Sequence, residues 1–133
     1  MILYKIIKTP FVAGWTDYRK TASFRRGGRW NSPGQPAMYL SSSVQTAMLE
    51  IAHYALSPRM ANKLYRLVVF QFPELRLHRL PVSDLPQDWD HAEHHFATQA
   101  IGDALLRAGR HEGIVVPTTS VHPGITKHPN RDI

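Results

Sequence analysis

Proline residues set the limits of the regular elements that this chain can form. Residues 2–8 are rich in β-branched and aromatic side chains, and they predict a strand that ends before Pro10. Residues 63–72 carry the strongest strand pattern, which Pro73 closes, and we expect this strand to be central in its sheet. Between them, a helical repeat of apolar residues cannot continue beyond Pro58. The chain is therefore expected to alternate short strands with short helices.

Capping and turn residues locate the remaining elements. Ser43 can cap the first helix, and the apolar residues 37–40 just before it suit a short buried strand. A second helix is predicted over residues 90–108, because apolar residues recur there at helical spacing and Gly109 stands at its end. The apolar stripe of this helix is Phe96, Ala100, Ile101, Ala104, Leu105 and Ala108. Two further short strands are predicted, over residues 75–80 and 114–116.

This order of elements predicts a single α+β domain with twisted mixed or antiparallel sheets and flanking helices. A length of 133 residues suits one domain, and a hydrophobic content of 43% with 20% charged residues excludes a disordered chain. Cysteine is absent, which excludes disulfides, a cysteine nucleophile and thiolate zinc sites, so the cytoplasm is the expected location. No apolar run reaches the roughly 18 residues of a membrane span.

The chain is strongly basic, with a formal net charge of +6 and a pI near 10.0. Anionic partners therefore come first: nucleic acid, a phosphorylated small molecule or an acidic protein. The basic residues between Arg19 and Arg29 motivate the hypothesis of a nucleic-acid-binding module, although no helix-turn-helix, zinc-finger or RNA-recognition motif is visible. A solvated basic surface without such a partner explains the charge equally well.

Residues 25–34 combine glycines, arginines and a tryptophan in one loop. Gly27 and Gly28 allow the backbone to approach a ligand, the arginines offer forked donors for phosphate, and Trp30 offers a stacking face. A nucleotide with a pyrophosphate group would use all three features. A solvated basic turn, with the tryptophan in the core, is an equally weighted alternative.

Two further polar positions are candidates for contact with a ligand. Glu50 borders the apolar stripe of the first helix, where a half-buried carboxylate could stabilise positive charge on a sugar ring or bind a ribose hydroxyl. A solvated helix glutamate is the commoner alternative. Ser120 follows the last predicted strand, at a place suited to a ligand, but no Gly-x-Ser-x-Gly elbow surrounds it. A serine-hydrolase nucleophile is therefore not predicted.

Histidines cluster just before the second helix. His91 and His95 are four residues apart and would share a helix face, and His53 lies elsewhere in the chain. The segment lacks the His-Glu-x-x-His pattern and an evident third ligand. A solvent-facing first turn explains the cluster better, and we expect no metal.

Five segments carry motifs that follow one another in a specific order. Tyr39 stands ten positions after Arg29, and Glu50 stands eleven positions after Tyr39. With this spacing of arginine, tyrosine and glutamate, the chain resembles the RES-domain family, toxins of bacterial toxin–antitoxin pairs. The five segments are Gly27-Gly-Arg-Trp-Asn-Ser-Pro-Gly34, Ala37-Met-Tyr-Leu-Ser-Ser-Ser43, Ala47-Met-Leu-Glu-Ile-Ala-His53, Thr98-Gln-Ala-Ile-Gly-Asp103 and Val115-Val-Pro-Thr-Thr-Ser-Val-His-Pro-Gly124.

This resemblance implies a fold like that of the ADP-ribosyltransferase toxins and an activity on NAD as substrate. Family members cleave the bond between ribose and nicotinamide, with phosphate as co-substrate or water as acceptor, and some transfer ADP-ribose to a protein. The implied catalytic roles are Arg29 on phosphate, Tyr39 positioning or stacking on the nicotinamide ribose, and Glu50 on the ribose. Further implied substrate contacts are Lys5, Arg26, Gly28, Trp30, Asn31, Thr118 and Ser120.

The chain departs from the family pattern at three places. Lys5 stands in the first strand where the family usually has an arginine, which keeps the charge but loses the bidentate fork. Where the family has Pro-Ser this chain has Pro-Thr-Thr-Ser, so either Thr118 or Ser120 takes the serine's role. Residues 1–125 are then a RES-like NAD-binding domain, and residues 126–133 are a polar tail in place of the family's Asn-Tyr-Leu-type strand. The implied partners are NAD and an antitoxin protein, with nucleic acid reached only through the antitoxin and no membrane contact.

Overall fold

The computed structural model describes residues 1–52, 57–91 and 95–120 and shows the predicted single α+β domain. The strands are β1 (Ile2–Lys8), β2 (Tyr65–Gln71), β3 (Leu77–Arg79) and β4 (Gly113–Val115). The helices are α1 (Ala22–Arg26), α2 (Val44–Ile51), α3 (Pro58–Leu64) and α4 (Phe96–Ala108). Short 3₁₀ turns occupy Thr9–Phe11, Tyr18–Lys20 and Val82–Asp84. Among the described residues, no helix is long and apolar enough to cross a membrane.

The strands form two small sheets. β1 and β2 are antiparallel, with Lys5 opposite Val68, and β3 and β4 are parallel. Within the described residues β2 has β1 as its one sheet neighbour, so the expectation that β2 is central is wrong. Its apolar character serves packing instead, since the ring of Phe70 lies edge-on to Trp15 at 5.0 Å between centroids.

Residues 37–40 form no strand, so the prediction of a strand there is wrong. Just beyond them, Ser41 and Tyr4 exchange two backbone hydrogen bonds of 2.8 Å in an isolated bridge to β1. The side chain of Tyr39 is bound into the preceding loop, as described below, and the segment follows that loop rather than the sheet. A single bridge is thus the extent of its pairing.

The helices begin at side-chain caps where the sequence offers them. The Ser43 hydroxyl accepts a hydrogen bond of 3.1 Å from the backbone of Thr46 at the start of α2, as predicted. Ser57 caps α3 in the same way, and this helix was not predicted although it begins with the favourable pair Ser57 and Pro58. Gly109 ends α4 with a φ of 64°, as predicted.

Helix α4 begins at Phe96, six residues later than the predicted start at residue 90. Residues 86–91 form turns instead, and they place Trp89 in the core and turn backbone carbonyls toward Arg29. The predicted apolar stripe is also largely wrong, because Phe96 is 79% exposed and the alanines at 100, 104 and 108 are exposed as well, which leaves Ile101 and Leu105 partly buried.

The core lies between loop 28–32, α4 and the β3–β4 sheet. Its centre is the buried trio Trp30, Leu80 and Trp89. The α4 face that turns inward is largely polar, with Thr98, Gly102 and Asp103 buried. This helix therefore packs against a loop whose backbone groups need hydrogen-bond partners, which an apolar stripe could not supply. Partly buried apolar side chains complete the core: Tyr39, Leu85, Ile101, Ile114 and Val116.

Candidate functional site

Loop 28–32 is held closely between Tyr39 and α4. A Cβ added to Gly28 would lie 2.6 Å from the Tyr39 hydroxyl oxygen, and one added to Gly102 would lie 1.8 Å from the carbonyl oxygen of Trp30. Both distances are shorter than real Cβ contacts. The obstacle at Gly102 is backbone, so that position requires glycine, whereas a side chain at position 28 would force the Tyr39 ring to move. The two glycines allow the loop to approach a side chain on one flank and a helix backbone on the other.

The Tyr39 hydroxyl makes two hydrogen bonds inside the protein. It accepts a hydrogen bond of 2.9 Å from the backbone of Trp30 and donates one of 2.6 Å to Oδ1 of Asn31. Burial is the main reason that the pKa of Tyr39 is raised above its usual value. Asn31 is completely buried, and its amide donates to the carbonyls of Ser23 and Gln35 at 2.9 Å each. In this geometry Tyr39 and Asn31 brace the loop, while their predicted contacts with substrate stay predictions.

Helix α4 holds the other flank of the loop with three polar side chains. The Thr98 hydroxyl donates to the carbonyl oxygen of Arg29 at 2.7 Å, and Nε2 of Gln99 donates to that of Gly28 at 2.9 Å. The Asp103 carboxylate accepts from the backbone of Ser32 at 3.0 Å and from the Ser32 hydroxyl. The backbone around Arg29 is therefore fixed by side chains far away in the sequence.

The guanidinium of Arg29 is half-buried and held by neutral groups. Its Nη1 donates to the carbonyl oxygens of Trp89 at 2.7 Å and His91 at 2.9 Å. Burial lowers the pKa of Arg29, and the negative charges of Asp90 and Glu50 partly oppose that shift. In the described part of the chain no salt bridge joins Arg29 to a carboxylate. Within residues 1–52, 57–91 and 95–120, carbonyl oxygens rather than a carboxylate therefore contact this guanidinium.

Glu50 lies on α2 and is exposed, which matches the solvated alternative rather than a half-buried carboxylate, but one of its oxygens is held by a hydrogen bond. Oε1 of Glu50 accepts a hydrogen bond of 2.6 Å from the Thr118 hydroxyl. That same hydroxyl oxygen accepts one of 3.1 Å from the backbone of Ser120. The segment after β4 therefore reaches Glu50 through Thr118, with Ser120 behind it. The charge of Glu50 acts on Arg29, and the Tyr39 hydroxyl holds the loop backbone next to Arg29, so the three residues with family spacing share one neighbourhood.

The remaining predicted residues differ in how far they are exposed to solvent. Lys5 is half-buried in β1, and its burial lowers its pKa. Arg26 is exposed at the end of α1, directly before the loop. Trp30 is 6% exposed and packs in the core, which matches the alternative interpretation of the loop rather than a stacking face. The buried ring of Trp30 has no open face on which a substrate could stack, so the structure does not support its predicted contact with substrate.

Sequence reasoning did not identify the α4 side chains as support for the loop. The available signal was a set of polar residues, Thr98, Gln99 and Asp103, grouped around Gly102 on a helix that is otherwise rich in apolar residues. The carbonyls of Trp89 and His91 that hold Arg29 leave no signal in the sequence, because every residue carries a carbonyl group. The histidine cluster is only partly visible, since His53 and His94 lie outside the described residues. Within the described ranges, no group of three or more metal-ligating side chains could hold a metal ion.

Comparison with known proteins places these residues in a family. The family model described as RES domain matches residues 2–128. A protein named Toxin Res from Photorhabdus laumondii is 30% identical over 122 residues, which are 91% of this chain and 76% of that protein. One of the same name from Yersinia enterocolitica is 32% identical over 123 residues, covering 91% of this chain and 78% of the relative. The α+β architecture is consistent with the ADP-ribosyltransferase-like fold that the resemblance implied. The chain belongs to the RES domain family.

Proposed function

We propose that this protein is a toxin that depletes NAD in the cytoplasm by cleaving the bond between nicotinamide and ribose, with phosphate or water as the acceptor. The observation that supports the proposal is that two side chains of opposite charge lie in one neighbourhood and are each held in position by hydrogen bonds. A half-buried Arg29 is held by neutral carbonyls, and a Glu50 carboxylate is oriented by Thr118 in the same neighbourhood. The relatives named Toxin Res support the toxin role.

Arg29 suits the pyrophosphate of NAD. Nη1 is engaged with two carbonyls, while among the described residues neither Nε nor Nη2 makes a hydrogen bond. These two nitrogens form the fork that binds two phosphate oxygens at once. Since the side chain is already partly desolvated and held in place, little further ordering is required when the anion binds.

Glu50 suits the ribose. When the bond between ribose C1 and the nicotinamide nitrogen breaks, its electron pair leaves with nicotinamide and positive charge develops on the ribose. A nearby carboxylate stabilises that charge more in the transition state than in the ground state, which is the condition for raising kcat. A phosphate or water oxygen then bonds to C1, and a water acceptor loses its proton. By holding one oxygen of Glu50, Thr118 orients the other.

A direct assay of NAD cleavage tests this proposal. Purified protein is incubated with NAD in the presence and absence of phosphate, and the products are separated by chromatography. We expect free nicotinamide in both cases or with phosphate alone, together with ADP-ribose or its phosphate ester. Glu74→Gln, an exposed carboxylate outside the site, is the matched control for Glu50→Gln and should keep the parental rate. Absence of nicotinamide release under every condition, from a folded protein, would contradict the proposal.

A toxin of this kind needs a partner that holds it inactive. We propose that the partner is an antitoxin protein with an acidic segment, because exposed basic side chains lie on and before α1, next to loop 28–32. Co-expression of the neighbouring open reading frame should relieve growth arrest, and its product should co-purify with this chain. A chain that is harmless alone and binds no product of that locus would contradict the toxin assignment. The basic side chains are Arg19, Lys20, Arg25 and Arg26.

A further inference from the structure

We propose that Thr98 and Gln99 of α4 are positioning residues for Arg29. In this role they set the direction in which the arginine side chain leaves the backbone, so that its Nε and Nη2 face the bound phosphate. The inference rests on the proposed function for the identity of the ligand. The geometric part, that α4 sets the orientation of Arg29, stands on contacts between described residues.

The two peptide groups on either side of the Arg29 Cα are each held. Nε2 of Gln99 donates to the Gly28 carbonyl in the preceding peptide at 2.9 Å, and the Thr98 hydroxyl donates to the Arg29 carbonyl in the following peptide at 2.7 Å. The N–H of that following peptide, which belongs to Trp30, donates to Tyr39 at 2.9 Å. Fixing both peptide planes fixes φ and ψ of Arg29, and these angles determine where its Cβ points.

The far end of the arginine side chain is held by the segment that leads into the same helix. Nη1 of Arg29 binds the carbonyls of Trp89 and His91, which precede α4. The single proton of the Thr98 hydroxyl lies between the carbonyl oxygens of Arg29 at 2.7 Å and His95 at 3.0 Å, with the shorter distance to Arg29. Residues 89 and 91 therefore hold the guanidinium of Arg29, while Thr98 and Gln99 of α4 hold its backbone. A displacement of Thr98 would move one anchor relative to the other.

A role in packing alone does not explain the choice of side chains. Thr98 is 3% exposed, and valine would fill the same volume without burying a hydroxyl. The hydroxyl instead supplies a donor to a loop carbonyl that loop residues do not satisfy. Misplacement of a binding group by about 1 Å can cost on the order of a hundredfold in rate, so a small movement of Arg29 would be measurable.

The first test compares variants in binding and in stability. Thr98→Val should weaken NAD binding about tenfold in calorimetry, and Thr98→Ser, which retains the hydroxyl, should restore it. Gln99→Met removes the second anchor from a half-buried position and should act in the same direction. Ser57→Ala is the matched control, because it removes the cap of α3, away from the site, and should lower the Tm without changing the affinity for NAD. Equal losses of affinity in Thr98→Ser and Thr98→Val would overturn the proposal.

The second test asks whether the effect passes through Arg29. In an Arg29→Lys background, Thr98→Val should cause little further loss of affinity, whereas fully additive losses would overturn the proposal. A readout without NAD is the side-chain Nε–Hε resonance of Arg29, assigned by its loss in Arg29→Lys. This signal should shift in Thr98→Val and Gln99→Met but stay in place in Thr98→Ser and Ser57→Ala. If the parental protein binds no NAD, the proposed function fails, while an unmoved resonance in Thr98→Val and Gln99→Met refutes the positioning role by itself.

Discussion

The region around loop 28–32 and the β1–β2 sheet are stabilised by different means. The loop is held by buried polar side chains that reach its backbone from distant parts of the chain, among them Thr98 and Asp103. The sheet is held by regular backbone pairing, and one of its faces leaves Leu67 and Val69 46% and 56% exposed. Substitutions on that exposed face should change the stability little, whereas substitutions that remove contacts of the loop should be destabilising.

The difference indicates where precision is needed. A ladder of backbone hydrogen bonds tolerates many side chains, because the backbone supplies the pairing. A loop that presents an arginine at a defined angle depends on each of its individual contacts. Substitutions in the loop region should therefore have larger effects on stability and on activity than substitutions in the sheet.

The largest effect on stability is expected at Gly102. Gly102→Ala places a Cβ 1.8 Å from the Trp30 carbonyl oxygen, so α4 must move away from the loop. We expect destabilisation by about 3 kcal/mol, the upper range for overpacking, measured by chemical denaturation. Gly14→Ala is the control, since nothing lies within 4 Å of the added Cβ there, and it should change stability by less than about 0.5 kcal/mol. Similar stabilities for the two variants would show that α4 does not constrain the loop.

The largest effect on activity is expected at Glu50. Glu50→Gln keeps the size of the side chain and removes the charge that stabilises the ribose cation. We expect kcat to fall on the order of a hundredfold or more, about 2.7 kcal/mol, with little change in affinity for NAD. The circular-dichroism spectrum and melting curve should be unchanged, because a helix tolerates glutamine as well as glutamate. A folded variant with the parental rate would remove Glu50 from the catalytic group.

Arg29→Lys tests the anion-binding part of the same region. Net charge is unchanged, but lysine lacks the fork that can hold two carbonyls and a phosphate at once. Since hydrogen bonds to charged groups contribute about 1.5–3 kcal/mol, NAD should bind roughly tenfold to a hundredfold more weakly in calorimetry. Unchanged affinity would exclude Arg29 from the phosphate site.

The two regions also differ in how far the sequence predicts them. The span of β1, the Ser43 cap and the Gly109 terminus were predicted because each depends on residues that are neighbours in the chain. The start of α4 was predicted too early, because residues 86–91 are held in turns by contacts that include Arg29, about 60 residues away. Periodicity contains no information about such a contact.

The candidate site was predictable in its residue types and not in its geometry. The spacing of Arg29, Tyr39 and Glu50 indicated a family. The sequence favoured a stacking face and a core position equally for Trp30, and the structure buries this residue. The choice between Thr118 and Ser120 could not be made from the sequence, since both follow the same strand. In the folded chain the Thr118 hydroxyl reaches Glu50 on α2, while which of the two hydroxyls contacts substrate stays a prediction.

The smallest effect is expected at Lys5, which lies in the β1–β2 sheet and was also predicted to contact substrate. Burial lowers the pKa of this ammonium, so the folded state carries a desolvation cost whenever Lys5 is protonated. Lys5→Met should therefore raise the Tm at pH 7 by about 3 °C. The advantage should shrink as the pH rises through the lowered folded pKa toward the unfolded value near 10.4, because the lysine is then neutral in both states. Lys8→Met, at the exposed end of the same strand, is the control and should leave the Tm nearly unchanged.

If Lys5→Met gains stability and loses affinity for NAD, the sheet also contributes a charge to the site and the contrast between the two regions is weakened. A gain in stability with unchanged affinity would confine NAD binding to the loop region.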